Sequence, residues 1–126
     1  MRKSLQVRNV GNVLKNIIPT FSGTWTTNPG TNADLVLESS MAALTTAGVC
    51  TGAAQITYDM GANKRIFGYL NSDSGTLVWG SLNNVTYYQL VISNVAAFAG
   101  IYRYLQIRKA IADANVNFMK LVVYEI

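Results

Sequence analysis

Residues 55–90 read QITYDMGANKRIFGYLNSDSGTLVWGSLNNVTYYQL. Ile56, Tyr58 and Met60 alternate with Gln55, Thr57 and Asp59. Period 2 in β-branched and aromatic residues marks a half-buried strand. Gly61-Ala62-Asn63 is read as a turn, because glycine reaches positive φ at little cost. Ile66 to Leu70 is the next expected strand and Asn71 to Gly75 the next turn cluster. Leu77 to Gly80 follows, then Asn83-Asn84, a pair that tolerates the left-handed region, and Thr86 to Ile92. Short strands at spacings of roughly 8–12 residues indicate antiparallel pairing in a sandwich or barrel rather than βαβ units.

Working outward, Ile101 to Lys109 forms a further strand. Its residues Tyr102, Tyr104, Gln106 and Arg108 lie on one face, and Ile101, Arg103, Leu105 and Ile107 on the other. Phe118 to Ile126 is the closing strand and Asp34 to Glu38 an earlier one. Phe21 to Asn32 is read as a long polar loop carrying Trp25, which either plugs one end of the sandwich or stands out as a stacking platform. Ser39 to Gly52 is loosely patterned. Val95 to Phe98 is the apolar middle of another loop, an interaction site if exposed and a lid on the core if tucked inward, with the lid the favoured reading. Trp79, with Leu77 on its face, is read as core in preference to a ligand-stacking aromatic, and it stands with Trp25, Tyr87 and Tyr88 among the candidate stacking surfaces.

Near the N-terminus Val10, Val13, Leu14, Ile17 and Ile18 fall at the spacing of a short amphipathic helix. An extended arm pairing at a sheet edge fits the same residues, and Pro19 stops either one. The expectation is therefore an all-β antiparallel sandwich, a jelly roll of about eight strands, with an N-terminal arm or short helix. Residues 1–20 form the basic arm and residues 21–126 one sandwich domain, a size that supports a real core.

Charged residues make up 13% of the 126-residue chain and hydrophobic ones 50%, against a usual charged share of about 25%. Two readings stay open: much of the outside is buried against other subunits, or the surface is rich in Thr, Asn and Ser. The net charge of +4 comes from Arg2, Lys3, Arg8 and Lys15, which precede the first acid, Asp34. These four are candidate assembly or binding residues of the arm, able to meet phosphate or an acidic neighbouring subunit; the alternative is a solvated tail. The body carries no basic stripe interleaved with aromatics, so nucleic-acid binding by it is not expected.

The single cysteine, Cys50, rules out an internal disulfide and Cys-cluster metal sites. The absence of histidine removes the Ser-His-Asp triad and the commonest general base. The six carboxylates form no convincing catalytic pair, and no phosphate-cradling glycine loop occurs. No enzyme, cofactor or metal site is expected. The chain begins with Met and lacks the apolar run of a signal peptide and the ~20 apolar residues of a membrane span, so it is read as soluble, unprocessed and self-contained.

Four segments together resemble the discoidin family, also called the coagulation-factor type C domain. ITYDMGANKRI resembles its alternating strand ending in Asp-Leu-Gly, and YRYLQIR its Arg-Tyr strand at Arg103 and Tyr104. SLNNVTYYQL resembles its Ser-x-Asp-Gly-x-x-Trp segment, with Ser81 in place, Asn83 and Asn84 for Asp and Gly, and Tyr87 for Trp. NFMKLVVYEI resembles its final strand, with Lys120 where an acid is usual. The family's end-joining disulfide and its calcium-linked segment have no counterpart here. The resemblance implies an eight-stranded jelly roll and non-catalytic binding of glycans, lipid head groups or proteins through loops at one end.

Two functions follow as expectations. The first is a structural protein of a larger particle, such as a capsid decoration, minor capsid or spike component of a virion, self-associating or bound to other subunits. The second is a carbohydrate-binding module, with a glycan as partner and Trp25 and Tyr88 as the exposed aromatics to bind it.

Overall fold

The computed structural model describes Leu14, residues 17–30, Ala33 and residues 48–69, 76–90, 97–112 and 120–124. Six strands occur among them: β1 (Thr20–Thr27), β2 (Val49–Tyr69), β3 (Thr76–Ser81), β4 (Tyr88–Gln89), β5 (Ala97–Lys109) and β6 (Lys120–Tyr124). All pair antiparallel in one sheet of order β1-β2-β5-β3-β4. β6 pairs with the far end of β2, opposite residues 65–69. The described residues are mostly antiparallel β-sheet, consistent with an all-β protein.

The 21-residue β2 and the 13-residue β5 form the spine. β5 separates β2 from β3, so two strands adjacent in sequence are not neighbours in the sheet. Across the spine Ile56 faces Ile107 and Tyr58 faces Leu105, and Val78 of β3 faces Ile107 from the other side. These side chains are all buried, and with Leu14, Cys50, Met60, Ile66, Leu90 and Val123 they make one core. Burial of each such aliphatic or aromatic side chain contributes about 1.5–3 kcal/mol. Ile17, Phe21, Trp25 and Tyr102 pack against the rim of that core.

Three expectations are corrected. Gly61-Ala62-Asn63 is not a turn between strands but a bulge inside β2: residues 60–63 occupy the space where β5 has Arg103 alone. Gly61, at φ +79°, supplies the left-handed residue that the bulge requires. The polar segment at Phe21 is not loop through Thr27 but strand β1, paired to β2 from Thr20↔Thr57 to Thr27↔Val49. Thr-rich sequence next to a long partner strand takes up the ladder that partner offers. Trp79 is half-buried outside the core, because its neighbour Val78 takes the buried face and strand alternation turns the indole the other way.

The Asp34 to Glu38 strand, the Asn71 to Gly75 turn and the lid at Val95 and Ala96 lie outside the described residues, as does Phe118. Phe98, at the lid's end, starts β5 and is exposed, its ring meeting Phe67 edge-on at 5.6 Å.

Candidate functional site

The face of the sheet opposite the core carries rows set by strand register. One row is Ser22, Gln55, Arg108 and Leu77; the next is Thr57, Gln106, Trp79 and Gln89; a third is Asp59, Tyr104 and Ser81. Alternation in β3 and β5 places Trp79 and Arg108 on this face, and because Trp79 pairs with Gln106, Arg108 is its diagonal neighbour, two residues along β5.

Arg108 is the centre of the arrangement. Its guanidinium carbon lies 4.2 Å from the centre of the Trp79 ring and 5.4 Å from that of Tyr87, within the range of cation–π attraction. Its Nε–H donates to Gln106 Oε1 at 2.8 Å. The stack fixes the plane of the guanidinium and the hydrogen bond fixes its rotation in that plane. Burial pulls the Arg108 pKa down from its ordinary value, partly offset by Tyr87, yet a guanidinium stays charged throughout the physiological range. The Tyr87 hydroxyl is pushed up by burial, and the nearby Arg108 charge opposes that shift. The indole N–H of Trp79 is buried and meets no acceptor among the described residues.

Beside this stack lies a depression of about 420 Å³, whose lining includes Ser22, Gln55, Leu77, Trp79, Arg108 and Lys109. The volume falls in the usual span for small-ligand sites, about 300–1,000 Å³. The lining offers the half-buried Arg108 guanidinium, the buried Lys109, a hydroxyl, an amide and two apolar walls. That set can bind and orient an anion; it holds no nucleophile paired to a base.

A second feature closes the same edge. Ser81, buried, accepts hydrogen bonds from the backbone N–H of Asn83 (3.2 Å) and Asn84 (2.9 Å) and donates to Asn83 Oδ1 at 3.1 Å. Asn83 Oδ1 in turn accepts from the N–H of Val85 and of Thr86, each at 2.9 Å. Asn84 sits at φ 61°, and its side-chain carbonyl accepts the Tyr87 hydroxyl. This loop holds Leu82 and Val85 outward, 58% and 80% exposed, next to the exposed Tyr88 on β4.

Of the residues singled out from sequence, Arg2, Lys3, Arg8 and Lys15 lie outside the described residues. Trp25 is half-buried on β1, edge-on to Phe21 at 6.1 Å and 87°, against the core. Tyr88 is exposed on β4. Strand order sets these two at opposite edges of the sheet, so they do not share a site. Sequence reasoning missed the role of Arg108. The face assignment of Gln106 and Arg108, and that of Leu77 and Trp79, were both legible; what joined them was the β3–β5 pairing.

Among the described residues, His, Cys, Asp and Glu form no group of three or more able to hold a metal ion. No helix among them is long and apolar enough to cross a membrane. Comparison with family models, with curated proteins and with solved structures finds no match to this chain.

Proposed function

We propose that the chain is a non-catalytic assembly protein, a discoidin-like jelly-roll sandwich that packs into a larger particle such as a virion. The observation that carries this reading is the rigid loop after β3, which displays Leu82, Val85 and Tyr88 at the sheet edge. Apolar side chains fixed outward by a hydrogen-bonded scaffold are ready for burial without a large ordering cost. Residues 81–96 contain no charge, so contact between two copies of this edge meets no like-charge repulsion. A second copy is therefore the favoured neighbour.

The sandwich reading draws support from the bulge in β2. Ile66 and Val123, beyond it, join the same core as Ile56 and Leu105 before it, as happens where strands turn a corner between sheets at a bulge.

Light scattering over a concentration range tests the assembly reading. The expected result is a closed oligomer for the native chain and a monomer for Val85→Asp. A native chain that stays monomeric at every concentration overturns self-association. Removal of residues 1–9 tests the arm: incorporation into the particle is lost while the sheet stays folded. The cut stops short of Leu14 because that residue is buried in the core.

One observation favours a second reading, a carbohydrate-binding module: the depression beside Arg108, Trp79 and Tyr87.

A further inference from the structure

We propose that this depression binds an acidic sugar, a pyranose bearing one carboxylate, through the outward amino groups of Arg108. The proposal rests on the carbohydrate-binding reading and deepens it by naming the ligand class.

The argument starts from what is left of Arg108 once its fixed contacts are counted. One face of the guanidinium lies toward the Trp79 ring, and Nε–H is given to Gln106. The two Nη groups have no acceptor among the described residues, and the described carboxylate, Asp59, is held by Arg103. A planar, clamped fork with two free N–H edges matches a carboxylate in bidentate geometry. Because plane and rotation are fixed beforehand, little side-chain entropy is lost when the anion arrives. Half-burial beside an indole also weakens competition from water.

A bare carboxylate does not fill about 420 Å³, and the rest of the lining tells what else enters. Ser22 offers a hydroxyl and Gln55 an amide that both donates and accepts, so ring hydroxyls find partners. Leu77 and Trp79 supply apolar wall for the C–H face of a pyranose. Ala53 and Ala54, also in the lining, add little bulk. Lys109 also lines the depression, but it is buried and alternates with Arg108 onto the side of Leu105 and Ile107. The Arg108 guanidinium is the cation of the outer face, and it balances a single negative charge, which suits a monocarboxylate.

The test uses the full chain, ¹⁵N-labelled, titrated separately with D-glucuronate, N-acetylneuraminate, D-glucose and acetate. The expected result is a saturable shift of the Trp79 indole and Gln106 side-chain amide resonances with one or both acidic sugars, in the millimolar range. Which of the two binds tells a hexuronate from a sialate. Arg108→Gln is expected to weaken binding at least tenfold. Arg108→Lys, which keeps the charge and loses the fork, is expected to weaken it nearly as much, with an unchanged far-ultraviolet spectrum. If glucose binds as well as glucuronate, the acid requirement is overturned while the carbohydrate-binding reading stands. If acetate binds as tightly as the acidic sugars, the sugar is overturned. If none of the four shifts any resonance, both readings fall.

Discussion

Arg103 grips Asp59 across the bulge of β2: its Nε–H donates to Oδ1 at 2.9 Å and its Nη2 group to Oδ2 at 3.3 Å. The same Oδ1 accepts the Gly61 N–H at 2.9 Å. One carboxylate thus ties the neighbouring strand to the first residues of the bulge. Arg103 is the residue of β5 that the bulge leaves without a direct partner, so the ion pair stands in for the missing ladder contact. Both side chains are well exposed, and a pair of this kind contributes to register more than to stability.

The Asp59 carboxyl is held below its ordinary value of 3.8, chiefly by the Arg103 hydrogen bond and then by the Gly61 N–H. Since the folded-state value is depressed, the stabilisation is fully present above the ordinary value. It is lost as pH falls through the folded-state value. Asp59→Asn is therefore expected to lower the urea midpoint slightly at neutral pH. The gap between native and variant chains closes as pH drops below about 4 and narrows in high salt. A gap that persists unchanged at pH ~2 would show that the bulge does not depend on this charge.

Two glycines at positive φ separate backbone strain from steric conflict. A Cβ at Gly61 meets nothing within 4 Å, so Gly61→Ala carries only the left-handed cost, about 1 kcal/mol. A Cβ at Gly23, at φ +95°, sits 2.5 Å from the backbone oxygen of Ala53 and 2.6 Å from the Ala54 Cα. Gly23→Ala must push β1 off β2, and is expected to cost more than about 2 kcal/mol and to detach the strand. Chemical denaturation of the two variants checks the order; equal losses would mean that β1 is only loosely held.

The alternation of Ile56, Tyr58 and Met60, and of Leu105 and Ile107, was legible because side-chain period is a local property. The bulge at Gly61 looked like a turn for the same local reason: Gly-Ala-Asn serves both. What separates the two is whether Lys64 and Arg65 pair with β5, and a contact of that range has no mark in the segment itself. Trp79 was misplaced by its chemistry, since an indole ranks as core until a cation on a partner strand gives its face another use. Arg108 became visible only when β5 was found between β2 and β3.

Cys50 is 2% exposed, and its thiol donates to the Ile111 carbonyl at 3.6 Å. The native chain is expected to react with a thiol reagent such as DTNB only as fast as it opens. In urea above the midpoint, reaction should be immediate. Fast reaction under native conditions would place the end of β5 and its following residues among the least stable parts of the fold.

Ser81 is the keystone of the loop that shows Leu82 and Val85. Its hydroxyl serves two backbone N–H groups and orients Asn83, whose carbonyl serves two more. Ser81→Ala removes the anchor while leaving β3 paired through its backbone. The loop is exposed, so water replaces part of what is lost, and the global cost is expected at the low end of about 1–3 kcal/mol. The local effect should be larger: faster amide exchange at Asn83 and Asn84, and a weaker oligomer, because Val85 is no longer held in one position. Ser81→Thr keeps the hydroxyl and should retain the slow exchange. If Asn83 and Asn84 exchange as slowly in Ser81→Ala as in the native chain, the backbone and the Tyr87 bond to Asn84 hold the loop, and its rigidity owes nothing to the serine.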